Sequence, residues 1–193
     1  ELGMPIHSHS GWSPDYGDGP APAATYISEV DMWAQRPFKA LLWSGAFERH
    51  PNLKLIMTET GSAWILETLR VLEFKADNPL FKHFTKDLSL RPSEYFQRQC
   101  YIGASFMPDH EGRDRHKIGL DRLMWGTDYP HPEGSWPFTK AQMHTTFDGL
   151  PEAEIEAMLG GNAAEFYGVD VEKLAPIVAR VGPERATFKQ ANP

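Results

Sequence analysis

Four short apolar runs, each leading into sequence of helical character and each turning polar at its far end, constrain this chain more than any other feature. They are Leu2 to His9, Leu53 to Glu59, about Gln99 to Phe106, and Arg122 to Asp128. The turn signals His50-Pro51-Asn52 and Gly119-Leu120-Asp121 introduce the second and fourth. Runs of this kind suit strands covered on both faces. Between them, Thr25 to Phe47 carries Ile27, Val30, Trp33, Ala34, Phe38, Leu41, Leu42 and Ala46 near a helical period, and Pro37 is expected to split it into two helices. Ser62 to Lys75 places Ile65, Leu69 and Leu72 on one face. Pro108 to Lys117 and Pro137 to Phe147 are shorter helical candidates. Pro151 opens another, with Glu152 and Glu154 near its positive end. That helix is expected to stop at Gly160-Gly161, with Asn162 capping a last turn to Tyr167.

Alternating strands and helices predict a parallel sheet with helical crossovers. The polar ends then collect on one rim: His7 and His9, Thr58 and Glu59, Ser105, Thr127 and Asp128. Ligands bind at that rim in parallel α/β folds, because strand ends and loops converge there. An enzyme site on the rim is the economical expectation.

Composition narrows the partners. A net charge of -7 without a long basic run disfavours nucleic acid. No apolar run approaches a bilayer span, so no membrane partner is expected. Cys100 is the single cysteine, read as packing, and excludes a disulfide framework within the chain, which favours a cytoplasmic protein. Aromatic residues cluster in loop-like sequence, and Trp12, Trp64 and Trp136 are candidates to line a pocket for a small organic substrate.

The chemistry rests on three rim positions. In an extended strand, residues two apart share a face, so His7 and His9 can both reach one divalent metal. Alternatively, the rings simply hydrogen-bond in a polar rim. Asp128, inside Trp125-Gly126-Thr127-Asp128-Tyr129-Pro130-His131, can ligate metal and accept a proton, or can cap the following turn. Glu59 can ligate metal, shuttle a proton or pair with a buried arginine. His131 is a second-rank catalytic candidate. His50, His83, His110, His116 and His144 are read as surface or capping residues.

These segments resemble the amidohydrolase-2 group, the aminocarboxymuconate-semialdehyde-decarboxylase-like branch of the metal-dependent amidohydrolases. Glu1 to Gly11 resembles its fifth strand, Pro51 to Gly61 its sixth, Gly126 to His131 its eighth, and Gly160 to Gly168 its closing helix. The resemblance implies a TIM-type (β/α)8 barrel, of which residues 1–170 would supply strands 5 to 8 as a C-terminal half, followed by a tail over residues 171–193. It implies a divalent metal, zinc in most members, with His9 as fifth-strand ligand, His7 beside it, and Asp128 as eighth-strand ligand and proton acceptor. Glu59 stands where the family carries a sixth-strand histidine, and the first-strand His-x-His pair is absent from the chain. A complete barrel needs about 250 residues, so the chain is expected to be a fragment or to be completed by a second chain; homo-oligomers also fit.

The leading expectation is a hydrolase that attacks a small substrate with metal-activated water, Asp128 taking the proton and Glu59 or His131 positioning water. A nonoxidative decarboxylase is the alternative within the family. Two others are a catalytically idle barrel that binds a ligand or partner chain, and a small self-contained metal protein built on His7-Ser8-His9.

Overall fold

The computed structural model describes residues 3–105 and 107–184. It divides into two compact units, Glu1–Gly103 and Ala104–Pro193, each described by itself. Strand β3 passes through the division.

In the first unit, β1 (Ile6–His9) leads to α1 (Pro20–Trp43) and the short α2 (Ala46–Arg49). Next come β2 (Leu55–Thr58), α3 (Trp64–Asp77), α4 (Pro92–Gln99) and β3 (Cys100–Ser105). The strands run parallel: Ile6 faces Leu55 and His9 faces Thr58, while Leu55 faces Cys100 and Thr58 faces Gly103. Phe38 and Leu42 of α1, Phe47 of α2, Leu55, Ile56 and Met57 of β2, Ile65 of α3 and Phe96 of α4 form the core. Phe38 meets the edge of Phe96 at a centroid distance of 5.8 Å. Burial of these rings removes apolar surface from water, and truncating one to alanine costs about 3–5 kcal/mol.

Polar groups in this core are paired. Gln99 is fully buried, and its Nε2 donates to the carbonyls of His50 and Leu53, at 2.9 and 3.0 Å. These bonds tie the turn before β2 to the end of α4. Lys54 Nζ donates to Arg98 O at 2.7 Å.

Several expectations change here. Leu2 lies outside the described residues, and β1 starts at Ile6. It is not covered on both faces: Met4 and Ile6 are exposed, because β1 stands at the edge of the sheet and pairs only with β2. Pro37 does not break the helix; α1 runs through it to Trp43. The break falls at Ser44-Gly45, where Gly45 turns left-handed at φ 71°. Helix α4 had no sequence expectation.

In the second unit, the end of β3 neighbours β4 (Leu123–Gly126). Helices α5 (Asp109–Arg113) and α6 (Arg115–Ile118) precede β4. After it come α7 (Thr139–Phe147), α8 (Glu152–Glu156), a π-helical turn Ala157–Gly161, α9 (Asn162–Tyr167) and α10 (Val171–Val181). Met107, Ile118, Leu123, Met143, Phe147 and Met158 are buried together. Phe106, expected to end the third strand, lies outside the described residues.

Gly160-Gly161 does not end the helix, since the wider π turn carries it into α9. Asn162 consequently does not cap. Its Nδ2 donates to Leu120 O and Leu123 O, at 2.8 and 2.7 Å, anchoring the approach to β4. Residues 171–181 form a helix with no buried residue, exposing Val171, Leu174, Ile177, Val178 and Val181. No described helix is long and apolar enough to cross a membrane.

Candidate metal centre

In the first unit the site begins where β1 and β2 end. The parallel register sets His9 opposite Thr58, so the next residue, Glu59, emerges beside the His9 ring. Glu59 N donates to Gly103 O at 3.0 Å, extending the ladder by one residue before the chain turns away. That turn places Glu59 in the left-handed region at φ 59°, unfavourable for a long side chain. Ser10 Oγ donates to Glu59 O at 2.8 Å, binding the loop after β1 to the same turn.

The outcome is a close pair. His9 Nε2 lies 2.9 Å from Glu59 Oε2, with Glu59 15% exposed and His9 59% exposed. His9 Nδ1 lies 2.6 Å from Ser10 O, an acceptor that requires the proton on Nδ1. His7 is exposed, two residues before His9 on the same strand.

Two of the tryptophan candidates belong to this unit. Trp12 is exposed but stacks edge-on against Trp33 of α1, with centroids 5.0 Å apart. Trp33 Nε1 donates to Tyr16 O at 3.2 Å, and that hydroxyl donates to Glu29 at 2.6 Å. The Glu29 bond, aided by partial burial, holds the Tyr16 pKa above its usual value. Trp64 is half-buried and fixed, its Nε1 donating to Thr60 Oγ1 and Gly61 O at 3.3 and 3.1 Å.

The second unit contributes the loop after β4. Asp128 has a left-handed φ of 56°, and its carbonyl accepts from His131 N at 2.8 Å. Thr127 O accepts from Ser135 N and His131 O from Gly134 N, both at 2.9 Å. The loop closes around Gly134, where an added Cβ would meet the carbonyl oxygens of Thr127, Asp128 and His131 at 2.9 Å each. A glycine is obligatory there for steric reasons alone. Tyr129 and Trp136 form an edge-on ring pair, centroids 6.1 Å apart, and Trp136 is exposed.

Asp128 is 17% exposed, yet its Oδ2 is buried without a hydrogen-bond partner. His131 Nδ1 lies 3.4 Å away, but that nitrogen accepts from Glu133 N at 3.3 Å and so has no proton to give. A buried carboxylate oxygen left in this state is costly unless a cation completes it. Imidazole and carboxylate donors at strand ends fit a divalent ion. His9 and Glu59 therefore meet in the first unit, and Asp128 and His131 meet in the second. Sequence reasoning missed Ser10 and Gly134. Ser10 directly follows the histidine, and Gly134 closes the Pro-rich loop, so both positions were visible but not their contacts.

Comparison with known proteins places this geometry. The amidohydrolase family profile matches residues 1–169. A 2-amino-3-carboxymuconate-6-semialdehyde decarboxylase from Dictyostelium discoideum is 28% identical over 137 residues, which is 69% of this chain and 36% of that protein. The 5-carboxyvanillate decarboxylase of Sphingomonas paucimobilis superposes with a TM-score of 0.63 at 24% identity, covering 86% of this chain and 50% of its own. A dihydroxybenzoic acid decarboxylase from Polaromonas sp. JS666, solved with bound manganese and the inhibitor 2-nitroresorcinol, gives a TM-score of 0.61 at 19% identity, covering 88% of this chain and 51% of its own. The chain thus spans about half of these proteins or less, and its parallel strand–helix order is that of their TIM-barrel fold. With the profile match running through all four strands, the chain belongs to the amidohydrolase family.

Proposed function

We propose that this chain carries the part of a metal-dependent, nonoxidative decarboxylase that supplies barrel strands 5 to 8, acting on a small aromatic or unsaturated carboxylic acid. The observation that carries this reading is the decarboxylase named for the 28% identical relative, and the two structural neighbours described above carry the same kind of name. Hydrolysis, the leading expectation from sequence, is the less supported reading within the family. The orphaned Asp128 oxygen speaks against a catalytically idle barrel.

In this reading His9 and Asp128 are metal ligands, with His7 beside them. A bound divalent ion would hold the substrate carboxylate and neutralise its charge. Asp128, once protonated, gives its proton to the substrate carbon that bears the carboxylate. A C–H bond forms there, the C–C bond to the carboxylate breaks, its electron pair returns to the unsaturated system, and carbon dioxide leaves. Glu59 and His131 orient the carboxylates and the substrate. Trp12, Trp64 and Trp136 supply apolar surface, which excludes water and strengthens the charge interactions. A cytoplasmic location belongs to the same reading and rests on the lone, buried Cys100.

The test is a panel of aromatic and unsaturated carboxylic acids incubated with the full-length, metal-loaded protein. Stoichiometric carbon dioxide release is the expected result. Release of an amine or alcohol from amide and ester analogues, with no carbon dioxide from any acid, would return the assignment to hydrolysis.

A further inference from the structure

Resting on the reading of the site as a divalent-metal centre, we infer that Glu59 is itself a metal ligand beside His9, and that it tunes the centre toward a hard, six-coordinate ion such as manganese. The first argument is the placement of protons. With the His9 Nδ1 proton directed at Ser10 O, the neutral ring presents a lone pair at Nε2, and this faces Glu59 Oε2 at 2.9 Å. Two electron-rich atoms at that separation are stable only with a positive centre between them. An imidazole whose other nitrogen donates to a backbone carbonyl is also the arrangement that fixes metal-binding histidines.

The second argument is distance. Adjacent corners of an octahedron with metal–oxygen bonds near 2.1 Å lie about 3.0 Å apart. Corners of a tetrahedral zinc site with similar bonds lie about 3.4 Å apart. The separation of 2.9 Å matches the octahedral edge.

The third argument is the backbone. Glu59 is held at φ 59°, its N–H bonded to Gly103 O and its carbonyl bonded by Ser10 Oγ. Strained backbone of this kind persists where surrounding contacts over-determine a functional side chain. A carboxylate in place of an imidazole adds a hard, charged oxygen donor, which shifts relative preference away from zinc and toward manganese or magnesium.

The competing occupant of the gap is a proton, making a plain imidazolium–carboxylate pair. Direct metal binding separates the two. Full-length protein is stripped with chelator and titrated with Mn2+, followed by loss of the free-ion electron paramagnetic resonance signal, and with Zn2+ against a chromophoric chelator. Wild type is compared with Glu59→Gln, Glu59→Asp and Glu59→His, each checked for folding by circular dichroism. Glu59→Gln and Glu59→Asp are expected to weaken Mn2+ at least tenfold, and Glu59→His to raise the affinity for Zn2+ relative to Mn2+ at least tenfold. An unchanged Mn2+ affinity in a folded Glu59→Gln protein overturns the inference and leaves the decarboxylase reading standing. Failure of wild type to bind either ion overturns the metal reading as well. Should the variants misfold, difference infrared spectra of wild-type protein labelled with 13C-glutamate decide the point: no carboxylate band shift on adding Mn2+ refutes ligation by Glu59.

Discussion

Asp128 and Glu59 are the non-glycine residues with left-handed backbone among those described, and each directly follows an apolar strand or its last turn. At Asp128 the conformation allows a sharp comparison. Asp128→Gly is expected to be more stable than Asp128→Ala by about 1 kcal/mol, because only glycine adopts positive φ without a Cβ clash. Chemical denaturation of the two variants measures it, and equal stabilities would deny that the backbone is strained. For activity the decisive change is Asp128→Asn. It keeps the shape, removes the charge and the exchangeable carboxyl proton, and is expected to lower kcat/KM for carbon dioxide release at least about a hundredfold. The identity of these side chains was legible in the sequence, because a carboxylate ending an apolar run demands an explanation. Their backbone conformation was not, since φ is set by the closing of the loop around Gly134 and by the Ser10 bond, both contacts between residues separated in the chain.

Elements position these residues through a few polar anchors. Asn162 at the start of α9 holds two carbonyls on the approach to β4, the strand that leads to Asp128. Asn162→Ala leaves both without their side-chain donor and is expected to cost about 1–3 kcal/mol, read as a lower midpoint in urea. In the first unit, Glu48 of α2 accepts from Tyr95 of α4 and from Ser89, and the Tyr95 bond is the main cause holding its pKa below the usual carboxylate value. A carboxyl group depressed by folding contributes stability above its unfolded pKa and loses it as pH falls through the folded value. Wild type is therefore expected to lose more stability than Glu48→Gln between pH 6 and pH 3 in matched urea titrations, and parallel losses would contradict this. The strands β2 and β4 were legible because they are apolar runs framed by turn signals. The exposed β1 was misread as covered because burial at a sheet edge depends on what stands beside it. Helix α4 went unseen, although Pro92 and the Arg91 N bond to Glu94 at 2.7 Å mark a helix start, because only eight residues carry its pattern. Pro37 misled in the opposite direction, since packing of Ala34, Phe38 and Leu42 holds α1 together across the missing N–H.

For the molecule as a whole, length and edge belong together. Strand β1 ends the sheet on one side with Met4 and Ile6 in solvent, while the relatives are roughly twice as long or more. An uncapped strand offers its outer backbone to any extended segment that fits. Made alone, the 193-residue chain is expected to associate as its concentration rises, and Ile6→Lys to reduce that association in sedimentation velocity; monomer behaviour at all concentrations for both would count against it. The same edge has a practical use. It is a seam along which two separately made polypeptides can be zipped into one enzyme, so the position just before β1 is a natural place to split the protein, and recovery of activity on mixing becomes a direct assay of strand pairing.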